Sequence, residues 1–510
     1  MKIFVIALIS LLSLASFAQQ QKVANLHIIP HTHNDLGWLF SVASYYLGTN
    51  PRGCVDCILN NVTAALARNP ARTFSYVEMG YFRIWWANQT AEVKQQIMQL
   101  NKNGHFEFLN SGVVMNDEGA AYYDDIIEQM SKGLKFVKDT FNYTVQTGWH
   151  IDPFGHSAAQ ANLFSQMGFN SWFFERIDYE DYVNRIRQET LETLWRPKTF
   201  SDMNYILAHV NYMSYYLAPM NWCLDITCFP STTPYDAMQL MSKYATWIHN
   251  QSDFYISNQV LHHVGGDFEW SGNAERHFQG LEFLIDFFHG QPFFGLNPYF
   301  STPSNYTNAV YTEFLAGRTK PLSTKQDDFM PYVDIPHAFW SGYYTSRSSF
   351  KQQIRAYGQR LQTVRKVLSK MLLEKPSYFN YTFKDFAVNL DQYEEVAGIL
   401  QHHDAVSGTA KQTVTQNYIN MLLCATNDIN EVLSAAVGSF SQELFGEELV
   451  HKECSQGKTT QESTAVYDIL ANSQDVLLTV YNPSVNTQRL LQIKVPRLTL
   501  KGTLLFSPKI

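Results

Sequence analysis

The chain has 510 residues, a formal net charge of −8, 15% aromatic residues and 16% charged residues. That length suits two or three domains. The mild acidic balance, with no basic tract, excludes nucleic acid as a partner.

Met1-Lys2, the apolar run Ile3 to Leu14 and the small-residue stretch Ala15-Ser16-Phe17-Ala18 read as a secretory signal peptide over residues 1–18. The run is too short to span a bilayer, and no later apolar run is long enough, so no membrane span is expected. Six Asn-x-Ser/Thr sequons follow, at Asn61, Asn88, Asn142, Asn250, Asn305 and Asn380. Behind such a leader they fit a glycosylated surface and a destination in the secretory pathway, lysosome-like or extracellular. The six cysteines suit disulfides in that compartment. Cys223 with Cys228 and Cys424 with Cys454 are candidate pairs. Cys54 and Cys57 form a CxxC outside any thioredoxin-like pattern, which favours a structural or unpaired role over a redox one.

Leu26 to Ile29 is a short apolar run stopped by Pro30 and followed by His31-Thr32-His33-Asn34-Asp35. In extended backbone residues two apart share a side, so His31, His33 and Asp35 are expected to face one way. Imidazole and carboxylate at that spacing make part of a zinc site. Further strand-like runs end in polar tips: Phe74 to Val77 before Glu78, Phe106 to Asn110 before Asn116-Asp117-Glu118, Ser171 to Phe174 before Glu175-Arg176, and Val260 to Val264 before Asp267. A helical stretch follows Glu78 to about Gln99, and another spans roughly Tyr122 to Lys138. Strand, charged tip and helix in repetition argue for a parallel sheet or barrel, with the site at the C-terminal strand ends. Between these, the run from Val145 to Ile151 is ended by Asp152-Pro153-Phe154-Gly155-His156. Proline removes a backbone donor and stops the strand, which presents the Asp152 carboxylate at a tip and makes it the centre of the predicted chemistry.

The pattern changes after Arg347. Phe350, Ile354, Tyr357, Leu361, Val364, Leu368 and Leu372 recur at helical spacing until Pro376. A second helix is expected over Phe383 to Leu400. A third carries Val414, Tyr418, Met421, Ala425, Ile429, Val432 and Ala436 on one face. Between the last two lies a polar turn, His402-His403-Asp404, which core packing does not require. From Ala465 the chain reads as strands up to its last residue, too few to make an independent β-domain.

Taken together, PHTHND (30–35) with Gly37-Trp38, VMNDE (114–118), GWHIDPFGHS (148–157), RIDY (176–179), CLDITC (223–228), GGDF (265–268), FWSGYYTSR (339–347) and QHHDAVSGT (401–409) resemble glycoside hydrolase family 38, the class II α-mannosidases, and the lysosomal type most closely. The resemblance covers almost the whole chain. It implies a parallel seven-stranded β/α barrel-like catalytic domain over residues 22–335, a three-helix bundle over 336–440 and the start of a C-terminal β domain over 441–510. It also implies a retaining hydrolase of terminal α-mannose on N-glycan-type oligosaccharides, with one zinc ion held by His33, Asp35, Asp152 and His403. Asp152 would be the nucleophile and Asp267 the general acid/base, the pair a retaining glycosidase needs about 5–5.5 Å apart. His402 and Asp404 would bind sugar hydroxyls, Arg176 would sit beside the nucleophile, His31 could lie behind the zinc ligands, and Trp38, Phe154 and Trp340 would form aromatic walls. Tyr215 is a candidate substrate contact in a stretch that aligns poorly.

Family members are about twice this long. The expectation is therefore a zinc site that binds while turnover is low, with room for a separate C-terminal half or a second copy of the chain as partner. Two other readings compete. A zinc amidohydrolase or deacetylase on an α/β barrel would also use HxH at its first strand, with metal-bound hydroxide in place of a carboxylate nucleophile. A non-catalytic mannose-binding protein would bind without turnover, though it would need neither Asp152 nor Asp267.

Overall fold

A computed structural model describes residues 23–197, 204–212, 234–374 and 383–445. Tyr215, the Cys223–Cys228 pair, Cys454, the leader and the expected C-terminal strands lie outside the described residues. The described residues form ten strands: β1 (Ala24–Pro30), β2 (Phe74–Tyr76), β3 (Phe106–Phe108), β4 (Thr147–His150), β5 (Ser171–Phe174), β6 (Glu192–Trp195), β7 (Ile206–Val210), β8 (Gln259–Val264), β9 (Leu296–Phe300) and β10 (Ser323–Lys325). Helices alternate with most of them, so the architecture is mixed α/β.

The strands pair into three sheets, ordered β8-β1-β9, β10-β6-β7-β5-β4 and β2-β3. Every pairing is parallel except β6 with β7. The seven-stranded barrel expected from the sequence is not closed by strand hydrogen bonds among the described residues. Single contacts join the sheets instead: His31, just past β1, bridges Ser75 of β2, and the Asn110 N–H reaches the Thr147 carbonyl at 2.8 Å between β3 and β4. The strands nevertheless share one interior. Ile29 of β1, Trp149 of β4, Phe173 of β5 and Leu261 of β8 lie in a single buried cluster with Val77 and Leu109, just past β2 and β3. Each large apolar side chain buried there contributes about 1.5–3 kcal/mol. Burial on both faces is what a parallel sheet wrapped by helices requires, and β4, β5 and β8 are buried throughout.

Helix starts follow local chemistry. Ser157 caps Ala158–Gln166 by accepting the Gln160 N–H, and Asp178 caps Tyr179–Gln188 by accepting from Glu180 and Asp181. The single helix expected after Glu78 is two, Met79–Ala87 and Ala91–Lys102, because Thr90 caps the second.

Contacts divide the chain into two compact units. One is the chain up to Gly358 together with Asp391–Leu423; the other is Gln359–Leu390 together with the chain from Cys424. Three helices follow the α/β part: Ser348–Glu374, Phe383–Ile399 and Gln412–Phe445. Within the first unit the predicted stripe residues Phe350, Ile354, Tyr357, Val414 and Tyr418 are buried. Within the second, so are Leu361, Val364, Leu368, Ala425, Ile429 and Ala436. Cys54 and Cys57 form a disulfide at the start of helix Val55–Leu66, so they are not unpaired. No helix among the described residues is long and apolar enough to cross a membrane.

Candidate metal centre and active site

All the site residues described here belong to the first unit. The tip of β1 supplies His33 and Asp35. Beyond it the backbone turns sharply at Gly37, whose φ is +96°. A Cβ there would lie 2.3 Å from the Tyr418 hydroxyl. Only glycine fits, because that hydroxyl donates to the carbonyls of Leu36 and Gly37, both at 2.7 Å. The tip of β4 supplies Asp152. The loop between the last two helices supplies His402, His403 and Asp404. It is pinned to the segment after β3: the Asp117 N–H donates to the Gln401 carbonyl at 3.0 Å, and the His403 Nδ1–H to the Met115 carbonyl at 2.7 Å. From outside, Arg347 donates to the carbonyls of Gly408 and Ala410, and Lys351 to those of Ser346 and Ser407, all at 2.7 Å.

These segments bring four buried donors together. His33 Nε2 lies 2.9 Å from Asp35 Oδ1 and 3.1 Å from Asp152 Oδ2. His403 Nε2 lies 3.2 Å from each of the same two oxygens. The four ligand atoms all fall within 4.8 Å of one another. A second, overlapping group adds His402 and Asp404 around Asp35, with His402 Nε2 at 3.4 Å from Asp35 and 3.5 Å from Asp404.

The electrostatics suit a cation. Burial alone would push both imidazoles toward neutrality, yet the Asp35 and Asp152 carboxylates hold His33 well above its usual range and His403 up at about 10. Burial would likewise protonate Asp152. The Arg176 guanidinium and the hydrogen bonds from His33 and His403 outweigh it and hold Asp152 well below the carboxylate range. Asp35 shifts down against burial for similar reasons. Two carboxylates thus draw two protons onto the imidazoles between them. Two imidazole nitrogens and two carboxylate oxygens match the donor set of zinc, and a divalent cation would replace those protons. The residues fit the metal.

Arg176 pairs with the other Asp152 oxygen, Oδ1. Three rings box its guanidinium: Trp340 at 4.9 Å, Phe154 at 5.2 Å and Tyr332 at 5.8 Å. Phe154 and Trp340, expected as sugar walls, therefore face an arginine that fixes Asp152. Asp267, at the end of β8, bridges His33 across the two strand tips. The Phe268 N–H donates to the His33 carbonyl at 2.8 Å. Asp267 is half-buried beside the donor group. Trp38 is half-buried too, with Arg52 over its ring at 5.3 Å. His31 does not join the donors: its ring packs on Trp149 at 5.2 Å and His263 at 5.6 Å.

Sequence reasoning placed Glu78 at a charged strand tip without a specific task, and gave Tyr332 none. Glu78 is buried, with Oε1 3.6 Å from His33 Nδ1, and burial pushes its carboxyl up to about 7. Both residues sit singly beside apolar residues, so spacing carries no signal for them. A separate buried group also forms, in which Glu118 Oε1 accepts from Nδ1 of His150 at 2.7 Å and of His156 at 2.8 Å. The Ser157 N–H donates to Glu118 Oε2 at 2.7 Å.

Comparison with known proteins shows the family. Residues 23–335 match the glycosyl hydrolases family 38 N-terminal domain, and residues 338–440 match the alpha mannosidase middle domain. Among curated relatives, the lysosomal alpha-mannosidase of Mus musculus is 33% identical over 474 residues, covering 90% of this chain and 45% of its own. That of Homo sapiens is 35% identical over 438 residues, covering 82% and 42%. The chain thus spans under half the length of the curated relatives it matches. Among solved structures, an alpha-mannosidase from Enterococcus faecalis V583 superposes with a TM-score of 0.59 at 14% identity, over 82% of this chain and 43% of that one. That likeness is one of fold.

Proposed function

Because the chain belongs to glycosyl hydrolase family 38, we propose that it is a retaining, zinc-dependent α-mannosidase acting on terminal α-mannose of N-glycan-type oligosaccharides. The observation that carries this reading is Asp152, a buried carboxylate kept ionised by Arg176 while its second oxygen faces two imidazoles. His33, Asp35, Asp152 and His403 would hold one zinc ion. When bound, zinc supplies a Lewis-acidic grip on cis sugar hydroxyls and orients the ring.

The chain's own residues perform the steps. The Asp152 carboxylate attacks the anomeric carbon and forms a glycosyl ester, while Asp267 gives its proton to the departing glycosidic oxygen. Asp267, now a carboxylate, takes a proton from water, whose oxygen attacks the same carbon. Mannose leaves with its configuration retained, and Asp152 is regenerated. Arg176, boxed by Phe154, Tyr332 and Trp340, holds Asp152 charged and aimed. Asp404 and His402 would contact sugar hydroxyls, and Trp38 would line the entrance. Residues 22–335 would form the catalytic domain, with the bundle of 336–440 supplying the His402–Asp404 loop. The names of the relatives support a lysosomal or secretory setting.

Hydrolysis of p-nitrophenyl α-mannoside across pH 4–7, with and without added zinc and beside Asp152→Ala, tests the reading. Activity that vanishes in the variant, with a 2-deoxy-2-fluoro sugar captured on Asp152, supports it. Turnover with no label on Asp152 favours a hydroxide mechanism, and mannoside binding without turnover favours a lectin-like protein.

A further inference from the structure

We propose that Glu78 is the positioning residue for His33: its carboxylate takes the Nδ1–H of that imidazole and so aims Nε2 at Asp35, Asp152 and the cation they would hold. This rests on the metal-centre reading above. Glu78 is 1% exposed, and neither of its oxygens completes a well-aligned hydrogen bond; the backbone amides of Asn34 and of Glu78 itself face the carboxyl and favour its charged form. A buried acid in that state costs several kcal/mol unless a cation or a donor faces it. It stands at the N-cap of helix Met79–Ala87, where the preferred residues Ser, Thr, Asp and Asn would bind the first amides; the glutamate makes no cap bond. Those amides are taken elsewhere: the Met79 N–H donates to the Gly112 carbonyl at 3.0 Å and the Gly80 N–H to the Val113 carbonyl at 2.8 Å. Freed from capping, the carboxylate points at His33, with Oε1 3.6 Å from Nδ1. That is an ion-pair separation, longer than a hydrogen bond. The last torsion of a glutamate is soft, so closing the gap needs no backbone movement.

The other metal-facing imidazole shows the same logic completed. His403 turns Nε2 inward because its Nδ1–H is held by the Met115 carbonyl at 2.7 Å. His33 is given a carboxylate for the same purpose, at the tip of the neighbouring strand. An imidazole backed by a carboxylate is a stronger ligand than one backed by a carbonyl, and such supports typically govern 10–100-fold in metal affinity.

The test is a Zn²⁺ titration of the full chain against a competing chelator, for the unchanged protein, Glu78→Gln and Glu78→Leu. Thermal melting of the metal-free forms accompanies it. Glu78→Gln keeps an acceptor and should weaken zinc about 10-fold; Glu78→Leu removes it and should weaken zinc about 100-fold. In the Co²⁺-loaded protein, one of the two shifted imidazole N–H resonances should exchange faster with solvent in Glu78→Gln and vanish in Glu78→Leu. Zinc affinity within twofold of the unchanged chain in both variants overturns the proposal, even if the metal-free forms melt lower, because that pattern marks a purely structural glutamate. If Glu78→Leu does not fold, the near-isosteric Glu78→Gln decides alone on the same two readouts. If the unchanged chain binds no zinc, the metal-centre reading falls and this inference falls with it. Zinc held equally by all three forms overturns this inference only.

Discussion

The group of His33, Asp35, Asp152 and His403 and the group of Glu118, His150 and His156 use the same ingredients, both buried and both drawing on the end of β4. Their chemistry runs in opposite directions. In the first, two carboxylates face two imidazoles, and the imidazoles shift up while the carboxylates shift down. In the second, one carboxylate serves two imidazoles. Burial dominates there, lowering His150 and His156 and raising Glu118, so every member is pushed toward its neutral form. The inward nitrogen differs as well: Nε2 in the first group, Nδ1 in the second, where it already donates to Glu118. Proximity of ligand-type residues is therefore not enough to mark a metal centre. The ratio of carboxylate to imidazole, and the nitrogen turned toward the carboxylate, distinguish the two groups.

The largest effect should come from breaking the first group. Asp152→Ala removes the nucleophile and one metal donor together, and mannoside hydrolysis should fall by at least about 10³-fold. Circular dichroism should show the fold retained. The corresponding break in the second group should be felt in stability. Glu118→Ala leaves the Nδ1–H groups of His150 and His156 without their acceptor, at about 1–3 kcal/mol each. Urea unfolding should report that loss, while zinc stoichiometry per folded chain stays at the unchanged value. A loss of zinc in Glu118→Ala that matches the loss in Asp152→Ala would erase the distinction between the two groups.

Acidity sharpens the comparison further. His403 titrates near 10 in the metal-free fold, above its unfolded value of about 6.5. Its contribution is fully present below pH 6.5 and is lost as pH rises through 10. His150 and His156 are depressed, so the unfolded chain takes up their protons first, and they subtract stability as pH falls below about 6.5. Urea unfolding of the metal-free chain should weaken on both sides of neutrality. His403→Gln should flatten the alkaline arm only, and His150→Gln should lessen the acidic one. Zinc, by replacing the proton on His403, should flatten the alkaline arm without any substitution. The smallest effect is expected at the clamp on the His402–Asp404 loop. Arg347→Ala removes two hydrogen bonds to that loop and should weaken zinc by several-fold, a change of about 1 kcal/mol.

The four buried donors that the structure gathers were named in the sequence because each stands in a motif that the family resemblance picks out. His33 and Asp35 share a strand tip, Asp152 precedes a proline, and His403 lies in a turn that no core needs. What supports them was not. Glu78, Tyr332 and the Nδ1 anchor of His403 act across elements distant in sequence, where no periodicity links them. Strand positions were recovered where apolar runs were distinct, as in β5, which spans Ser171–Phe174 as expected. β9 carries Pro298 on a sheet edge, and β10 is a three-residue polar strand, so neither reads as a strand. The two aromatics expected to line a sugar pocket were found around Arg176 because a ring face attracts a guanidinium as readily as a sugar, and composition does not distinguish the two.

The Tyr418 hydroxyl ties together backbone 382 residues apart in sequence. This has a consequence for the order of events during synthesis. The β1 tip leaves the ribosome early, carrying half of a centre. The loop that carries His403 follows only after some 370 further residues, roughly 20–70 s later at 5–20 residues per second. Through that interval His33 and Asp35 have neither their partner imidazole nor the tyrosine that holds their turn. A nascent protein halted before residue 403 would carry His33, Asp35 and Asp152 without the second imidazole, so the four donors can come together only late in the birth of this chain.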